Sequence, residues 1–531
     1  MRSIRFPRFY LLGLFLLAGL VAFSLNLNSY FLSDDFVQIG KVLRGDFSVV
    51  WGQEHGGFFR PLFIWSYVID SRIWGARPLC FHLTNVILHA VNSFLLFRLA
   101  VRMLEVIMPD PALRRAVAIS TAALFLLHPS HSEAVVWISG RADLIATCFV
   151  LFSLLLYLAF EDQARRLYLF ASAACFVLAL LAKESAVCVP FLILIAGIHR
   201  SHRRTIGHLF RVLTVYLSIL FAFIVIRAWY IGAIVGGYGT VQHLNFSPGW
   251  LRDRLLEASV RSVLPPLPSS WLAFLFKPLQ SPVFYLIILL VAAGIGLATL
   301  SRRRQYGPAE RKVQNRFLLT LAAMFLFSLL PVINLRLSLY QTLGERFLYL
   351  PTVFACLFIA YLTAVLTRNA RTMLFLVLII IGLYSWSLYR TTRRWREAAN
   401  LSQTISRELS NSASQDALVM LNAPDNLRGV PVFHNGLAEA VSWQTSRSPG
   451  PLQIVAFQDL ESAGDQIVFS GSAPIYARAL NPAATFTRVS GTDCLAVSLA
   501  GSNTLVLDPK PCASSSEMFF LSGGRINQLK P

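Results

Sequence analysis

Charged residues are scarce in this chain of 531 residues, where Asp, Glu, Lys and Arg together make up only 14%. A soluble globular domain carries about 25% charged residues. The shortage excludes a single water-soluble enzyme of this length, and a hydrophobic content of 55% excludes a disordered chain. The composition, with a mean hydropathy of +0.58, therefore predicts a polytopic membrane protein.

Acidic residues are scarcer than basic ones, with 27 against 47, which gives a net charge of +20. Such an excess is common in proteins that bind nucleic acid, but its distribution argues otherwise. Residues 401–531 contain 8 basic and 10 acidic residues, so the excess lies between the apolar runs of the first 400 residues. Membrane orientation requires basic loops there, and we expect no nucleic-acid partner.

Long apolar runs predict the membrane topology. A spanning helix needs about 20 apolar residues. Arg2, Arg5 and Arg8 precede the first run, and later basic pairs fall in alternate loops, so the N-terminus is predicted to be cytoplasmic. A signal peptide is disfavoured because the first run is too long and lacks a clear cleavage site. Roughly eleven runs qualify: 9–27, 83–104, 116–132, 143–160, 167–184, 186–199, 209–231, 284–300, 317–335, 351–367 and 373–389.

The prediction divides the chain into a transmembrane module, residues 1–400, and a small extracytoplasmic domain, residues 401–531. Outer loops are expected at 28–82 and 232–283, where runs rich in Trp and Phe suggest helices lying in the membrane interface. The tail has alternating runs such as LQIVAF, QIVFS and NTLVL, which predict an α+β or mostly-β fold. An oxidising compartment would allow a disulfide between Cys494 and Cys512, and two free thiols are the alternative.

Ionisable side chains near apolar runs are costly and often functional. Asp34 and Asp35 follow the first run in FLSDDF, where repulsion between two carboxylates calls for a compensating metal, Arg or polar substrate. A solvated loop that starts a helix is the alternative. Arg60, in FFRPL, is either a substrate cation or a membrane anchor. His82, Asn85, His89 and Asn92 form one polar stripe on a helix, which interhelical hydrogen bonds could explain.

The densest polar cluster is LFLLHPSHSEAVVWISGRADLI, with His128, His131, Glu133, Arg141 and Asp143. Its His pair lacks the spacing of a zinc-protease helix, so a hydrogen-bonded lining is favoured over a metal site. The predicted topology places further charges on the same outer face. Two carboxylates and several cations there suggest a site that binds an anion and does acid–base chemistry. These further charges are Lys183 and Glu184 in LAKES, and Glu345 and Arg346 in GERFLYLP.

The motifs SDDF, FFRPL, HLTNVILHAVN, LHPSHSEAVVWISGRADL, LAKES and GERFLYLP, taken in this order, carry a resemblance. Over about residues 25–360 the chain resembles the transmembrane part of the tetratricopeptide-repeat O-mannosyltransferases and their bacterial relatives in the GT-C glycosyltransferase superfamily. The tail departs from those enzymes, because no 34-residue helical repeat is present. The resemblance implies a GT-C-like fold for the transmembrane module and a hexosyltransferase or mannosyltransferase-like activity.

The resemblance implies inverting transfer of a sugar from a polyprenyl-phosphate donor to a protein, lipid or glycan acceptor outside the cytoplasm. The acidic pair Asp34 and Asp35 would supply the base, with Asp35 favoured because it adjoins Phe36, and Asp34 would orient the acceptor or hold a divalent metal. The phosphate leaving group needs cations. The expected substrate-binding residues are Arg60, His128, His131, Glu133, Arg141, Asp143, Lys183, Glu184, Glu345 and Arg346.

Two other classes of protein fit the composition. A transporter or flippase of lipid-linked sugars tends to show paired halves and interrupted helices, whereas here no half resembles the other and the polar groups gather at one face. A membrane scaffold would leave the Asp pair and the Arg141 cluster unexplained. The expected location is the bacterial inner membrane, in contact with membrane lipids, and the sequence leaves the sugar, the acceptor and any metal dependence open.

Overall fold

The computed structural model describes residues 8–47, 58–200, 206–232, 245–265, 307–412 and 418–529, apart from 336, 340, 368, 445–451, 472–473, 491, 493–494 and 510–516. The predicted span at 284–300 and the cysteines Cys494 and Cys512 lie outside the described residues. The disulfide therefore stays a prediction.

Among the described residues up to 412, the regular secondary structure is helical. Proline stands in the first turn of many of these helices, where its missing N–H has no partner to lose. The helices are α1 Arg8–Ala22, α2 Asp34–Leu43, α3 Pro61–Trp74, α4 Pro78–Leu104, α5 Pro111–Leu126, α6 Ser132–Val136, α7 Arg141–Gln163, α8 Arg166–Ala182, α9 Val189–Arg200, α10 Ile206–Ile231, α11 Pro248–Arg261, α12 Pro308–Leu329, α13 Pro351–Thr367 and α14 Ala370–Ser412.

Five described helices, α4, α7, α10, α12 and α14, are long and apolar enough to cross a membrane, and α1, α8 and α13 are shorter apolar helices. The prediction of a helical membrane protein is confirmed. Ten of the eleven predicted runs fall on described helices, but the count of eleven spans stays a prediction. The apolar window of α7 is 72% buried and that of α10 only 17%. Helix α7 is therefore central, and α10 lies at the lipid boundary.

The chain between α5 and α7, residues 127–140, is an irregular segment buried among the helices. It contains two short 3-10 turns and α6. A side chain at Gly140 would bring its Cβ within 2.7 Å of the carbonyl oxygens of Glu133 and Ala134, so only glycine fits where the segment folds back on itself. This buried segment carries the densest polar cluster of the sequence.

The helices predicted in the two aromatic loops are present as α3 and α11, and their position in the membrane interface stays a prediction. Helix α14 continues past residue 401 to Ser412, and the first strand begins at Leu418. The long helix therefore extends past the predicted domain boundary at residue 400.

The tail is rich in strands, as predicted, and holds one helix, α15 (Leu437–Gln444). Its described strands form three four-stranded sheets with the orders β12-β11-β1-β4, β6-β7-β10-β9 and β3-β2-β5-β8. The strands are β1 Leu418–Met420, β2 Ala423–Leu427, β3 Val430–Pro431, β4 Leu452–Ile454, β5 Phe457–Leu460, β6 Ile467–Ser470, β7 Ile475–Ala479, β8 Thr485–Thr487, β9 Leu495–Leu499, β10 Thr504–Pro509, β11 Glu517–Ser522 and β12 Arg525–Leu529.

The tail packs directly on α2. The N–H of Ser33 donates to the carbonyl of Val432 at 2.9 Å. The Trp443 ring on α15 lies 5.0 Å from Phe31 and 5.5 Å from Phe36. Gly436 has φ +85°, and a Cβ there would approach the Ser33 carbonyl oxygen to 2.7 Å. The start of α2, which carries the acidic pair, is thus covered on one side by the tail.

Candidate active site

Asp34 and Asp35 occupy the first turn of α2, where the helix dipole favours negative charge. Asp35 is 1% exposed. Its Oδ1 accepts hydrogen bonds from the Ser139 N–H at 2.9 Å and the Ser139 hydroxyl at 2.5 Å, and its Oδ2 accepts from the Leu32 N–H at 3.1 Å. Asp35 therefore ties α2 to the buried segment and is not part of a solvated loop.

Burial raises the pKa of Asp35 to about 7, although the bonds from Ser139 and Leu32 oppose the shift. Near neutral pH, Asp35 therefore carries only part of a negative charge. The carboxylate beside it, Asp34, then faces less repulsion than two fully ionised groups would produce.

Asp34 has the opposite environment. It is half-buried at the junction with the tail, and its Oδ1 accepts a hydrogen bond of 2.8 Å from the Asn435 amide. The Asn435 N–H also donates to the Ser33 hydroxyl at 3.3 Å. Of the two carboxylates, Asp34 is the one that a substrate could approach.

Arg141 is fully buried and forms an ion pair of 2.7 Å with Asp70 of α3. It also donates to the Asn85 side chain at 2.7 Å and to the Phe81 carbonyl at 2.9 Å. The sequence analysis did not single out Asp70. Asp143, two residues after Arg141, pairs instead with Lys183, at 2.6 Å.

The remaining predicted charges also form pairs. Arg60 contacts Glu184 at 2.8 Å, with side-chain exposures of 13% and 24%. Arg346 contacts Glu133 at 2.5 Å, and its side chain is 16% exposed. Glu345 is fully buried and pairs with Arg261 of α11, a residue that the sequence analysis also missed.

Burial raises the pKa of Glu345 to about 7, against the opposing effect of Arg261. The Ser132 hydroxyl donates to Glu345 at 3.2 Å and accepts from the Trp395 indole at 3.3 Å. Glu345 is therefore bonded to the buried segment and, through it, to α14.

Aromatic rings link two of these pairs, Arg346 with Glu133 and Lys183 with Asp143, to each other and to the start of α2. The Arg346 guanidinium lies 4.6 Å from the Trp137 ring, and Trp137 donates to the Leu32 carbonyl at 3.3 Å, next to the acidic pair. Phe347 lies 5.2 Å from the Lys183 ammonium and 4.9 Å from the Arg346 guanidinium. The structure thus brings the charges of distant motifs around the buried segment and the start of α2.

The histidines are bonded within the protein. His128 contacts the Ser262 carbonyl at 3.1 Å, His131 contacts the Thr352 hydroxyl at 2.8 Å, and His89 contacts the Tyr349 hydroxyl at 2.7 Å. Among the described residues no group of three or more His, Cys, Asp or Glu side chains is close enough to hold a metal. The polar stripe on α4 serves interhelical hydrogen bonding, with Asn85 donating to the Val135 and Trp137 carbonyls at 3.2 Å.

Curated proteins similar to this chain share one activity in their names. Protein O-mannosyl-transferase F38B6.6 of Caenorhabditis elegans is 23% identical over 362 residues, which is 65% of this chain and 48% of that protein. Protein O-mannosyl-transferase Tmtc1 of Drosophila melanogaster is 36% identical over 120 residues, 21% of this chain and 13% of that protein. The relatives of this chain are protein O-mannosyl-transferases. The resemblance carried by the motifs is confirmed.

The chain spans about half the length of the worm relative and a smaller share of the fly protein. No protein-family model matches it. The apo structure of ArnT from Cupriavidus metallidurans aligns with a TM-score of 0.39 at 14% identity, covering 83% of this chain and 85% of that one. The undecaprenyl-phosphate-bound structure of the same protein gives 0.38 at 15% identity, covering 83% and 89%.

Proposed function

We propose that this chain is a membrane glycosyltransferase that moves a sugar from a polyprenyl-phosphate donor to an acceptor hydroxyl. The observation that carries the proposal is an accessible carboxylate, Asp34, held by Asn435 where the membrane module meets the tail. Charged motifs that carry the resemblance to the O-mannosyltransferases lie near the same place, with Trp137 of the buried segment bonded to the Leu32 carbonyl beside the acidic pair. The acceptor is a protein, lipid or glycan, and the reaction takes place on the extracytoplasmic face of a bacterial inner membrane.

In this mechanism Asp34 accepts the proton of the acceptor hydroxyl as its oxygen attacks C1 of the donor sugar. The bond from C1 to the phosphate oxygen breaks, and the lipid phosphate leaves with the electron pair. The leaving phosphate is stabilised by cations and needs no proton donor. Attack on the face opposite the leaving group inverts the configuration at C1.

The proposal assigns the base to Asp34 and a supporting role to Asp35, the reverse of the order favoured from the sequence. Both oxygens of Asp35 already accept hydrogen bonds from Ser139 and Leu32. Asp35 is also buried, so an acceptor hydroxyl would have to displace packed side chains to reach it. Phe36, whose position favoured Asp35, is itself buried against Phe433 and Trp443.

The other predicted site residues divide by exposure. We propose that the partly exposed side chains of Arg60, Glu184 and Arg346 contact the donor, and that the buried Glu133 holds Arg346 in position. The buried residues would hold the site in shape, because a fully paired interior cation has no free donors for a ligand. The supporting residues are His128, His131, Arg141, Asp143, Lys183 and Glu345.

The test is transfer by the purified full-length chain in nanodiscs, with a polyprenyl-phosphate-linked hexose as donor. An Asp34→Asn change should reduce kcat by about 10²–10⁴-fold, the usual contribution of a general base. The melting temperature should stay nearly unchanged, because the half-buried side chain fills no cavity. Asp253→Asn, at an exposed aspartate on α11, is the matched control and should be fully active.

Full transfer by the Asp34→Asn protein would remove Asp34 from the chemistry and return the search to Asp35. A chain that moves the intact lipid-linked sugar across the bilayer without transferring it would be a flippase. That result would overturn the proposed function.

A further inference from the structure

The exposed apolar side chains of α14 end abruptly. Large hydrophobic residues are exposed along this helix from Leu374 to Tyr389, and none is exposed after Tyr389. The last two are Trp386 and Tyr389, the aromatic types that lie at membrane–water boundaries. The helix therefore leaves the bilayer near Tyr389 and continues into water toward the tail.

Arginines begin where the apolar surface ends. Arg390, Arg393, Arg394 and Arg396 occupy the next two turns, and the tail contributes Arg428 to their surroundings. The tail also packs on α2, so this cluster is on the same face of the membrane module as Asp34. Basic clusters on the extracytoplasmic side run against the usual loop bias, so orientation does not explain them.

Two of these arginines line a groove of about 190 Å³ between α14 and the 3-10 turn that follows α1. A water molecule occupies about 30 Å³ of liquid, so the groove has room for a larger polar group. Its lining combines polar side chains with the apolar side chain of Leu25 and the ring of Tyr389. The lining residues are Leu25, Tyr389, Arg393, Arg396, Glu397 and Asn400.

The groove arginines differ from every cation of the proposed active site. Arg393 and Arg396 are exposed, and within the described part of the chain neither forms a salt bridge. The one carboxylate in the groove, Glu397, lies 3.8 Å from Arg428 and is partly neutralised by it. The groove is therefore a net cationic pocket with open guanidinium donors.

We propose that this groove binds the phosphate group of a membrane lipid. Guanidinium groups match phosphate oxygens in geometry and charge, which favours phosphate over other anions. Leu25 and Tyr389 provide an apolar wall for the first carbons of a lipid, which a free phosphate would leave uncovered. The proposal does not depend on the glycosyltransferase assignment, since a polyprenyl phosphate and an anionic phospholipid present the same group at this depth.

The experiment titrates the detergent-purified full chain with a long-chain polyprenyl phosphate, with phosphatidylglycerol and with inorganic phosphate. The Arg393→Gln/Arg396→Gln double variant should bind lipid phosphate at least about tenfold more weakly, because it loses two charge-assisted contacts. Arg407→Gln, on the same helix but further into water, is the matched control and should bind like the parent. All three positions are exposed, so the melting temperature of each variant should match that of the parent.

A second variant should change the affinity for lipid in the opposite direction. Glu397→Gln removes the only carboxylate of the groove and should tighten lipid binding. Preference for one of the two lipids would identify the source of the phosphate, and both preferences support the site. Parental affinity in the double variant, no tightening in Glu397→Gln, or inorganic phosphate binding as tightly as the lipids would overturn it. Because binding is measured without turnover, a failed glycosyltransferase assay would leave this result standing.

Discussion

Two regions of this molecule use arginine in opposite ways. Around the buried segment, Arg141 and Arg261 are nearly inaccessible and each is paired with a carboxylate of a different helix. On α14, Arg393 and Arg396 lie exposed in a groove without a salt bridge among the described residues. Both sets look alike in the sequence, as basic residues next to apolar runs. Only the presence of an ion-pair partner and the burial of the side chain distinguish a cation that supports the fold from one that can bind a ligand.

The comparison also changes how the active site is understood. A dense cluster of charges in a membrane protein suggests a binding site, yet most of this cluster is satisfied internally. Taking a charge into the interior is tolerable only when it is paired and hydrogen-bonded. We therefore propose that the residues that meet a substrate are the partly exposed ones at the rim, with Asp34 foremost.

The largest expected effect would come from breaking a buried pair. Arg141→Gln should destabilise the protein by about 3–5 kcal/mol, because Asp70 would be left buried without its partner. Arg393→Gln should change stability by less than about 0.5 kcal/mol, as is usual for exposed residues. Thermal unfolding of both variants in the same detergent provides the measurement. Equal melting temperatures would contradict the distinction between the two regions.

A double change sharpens this prediction. Asp70→Asn combined with Arg141→Gln removes both charges at once and should recover part of the lost stability, since neither partner is then left alone. Failure to recover would mean that the bonds of Arg141 to Asn85 and Phe81 matter more than the ion pair.

The second expected effect is a dependence of stability on pH through Asp35. Burial raises its pKa to about 7, above the value of 3.8 for an exposed aspartate, so the folded state keeps a proton that the unfolded state releases. This contribution is complete below about pH 4 and is lost as the pH rises through 7. Asp35→Asn cannot titrate, so its melting temperature relative to the parent should rise between pH 5 and pH 8.

The melting temperatures of an Asp34→Asn protein at pH 5 and pH 8 serve as the control. A parent-to-variant difference for Asp35→Asn that is the same at both pH values would show that Asp35 is ionised in the folded protein throughout this range.

The smallest expected effect concerns Asn435, which we expect to position Asp34 from the tail. Asn435→Ala removes one hydrogen bond to a carboxylate and should lower kcat by about three- to tenfold with little change in the KM for the donor. In an Asp34→Asn background the same change should have no further effect, because the two residues act together. Asn481→Ala is the matched control, since Asn481 makes the same kind of bond, of 3.1 Å, to Asp465 within the tail.

A fall in kcat that is equal in both backgrounds would indicate that Asn435 only supports the docking of the tail. A loss that appears only in the donor KM would place Asn435 at the substrate instead of at the base.

Much of the architecture could be predicted because hydrophobicity is a local property. Scarce charge and long apolar runs predicted the helical module, and alternating residues after α14 predicted strands, and both predictions are confirmed. The motifs also predicted the resemblance to the O-mannosyltransferases, which is confirmed. The domain boundary was placed at residue 400, whereas α14 carries the chain without interruption to Ser412. A change in composition marks where lipid contact ends, and a helix can continue past that point.

Pairing between charges could not be predicted, because partners come from distant parts of the chain. Arg141 lies two residues from Asp143, yet it pairs with Asp70 of α3, while Asp143 pairs with Lys183. Neighbouring residues on a helix point in different directions, so spacing along the sequence does not give the partner. Asp70 and Arg261 each lie in a helix with other charged residues, and no local signal marks them.

The sequence by itself determined that this chain belongs in a membrane, that its tail forms strands and that an acidic pair follows the first apolar run. These are properties of composition and short-range order. The tertiary structure alone decided that Asp35 is buried against Ser139, that Asp34 meets Asn435 from a domain 400 residues later, and that two of many arginines face an open groove. Burial and partner choice depend on how distant segments pack, and that is where two adjacent aspartates acquire different chemistry.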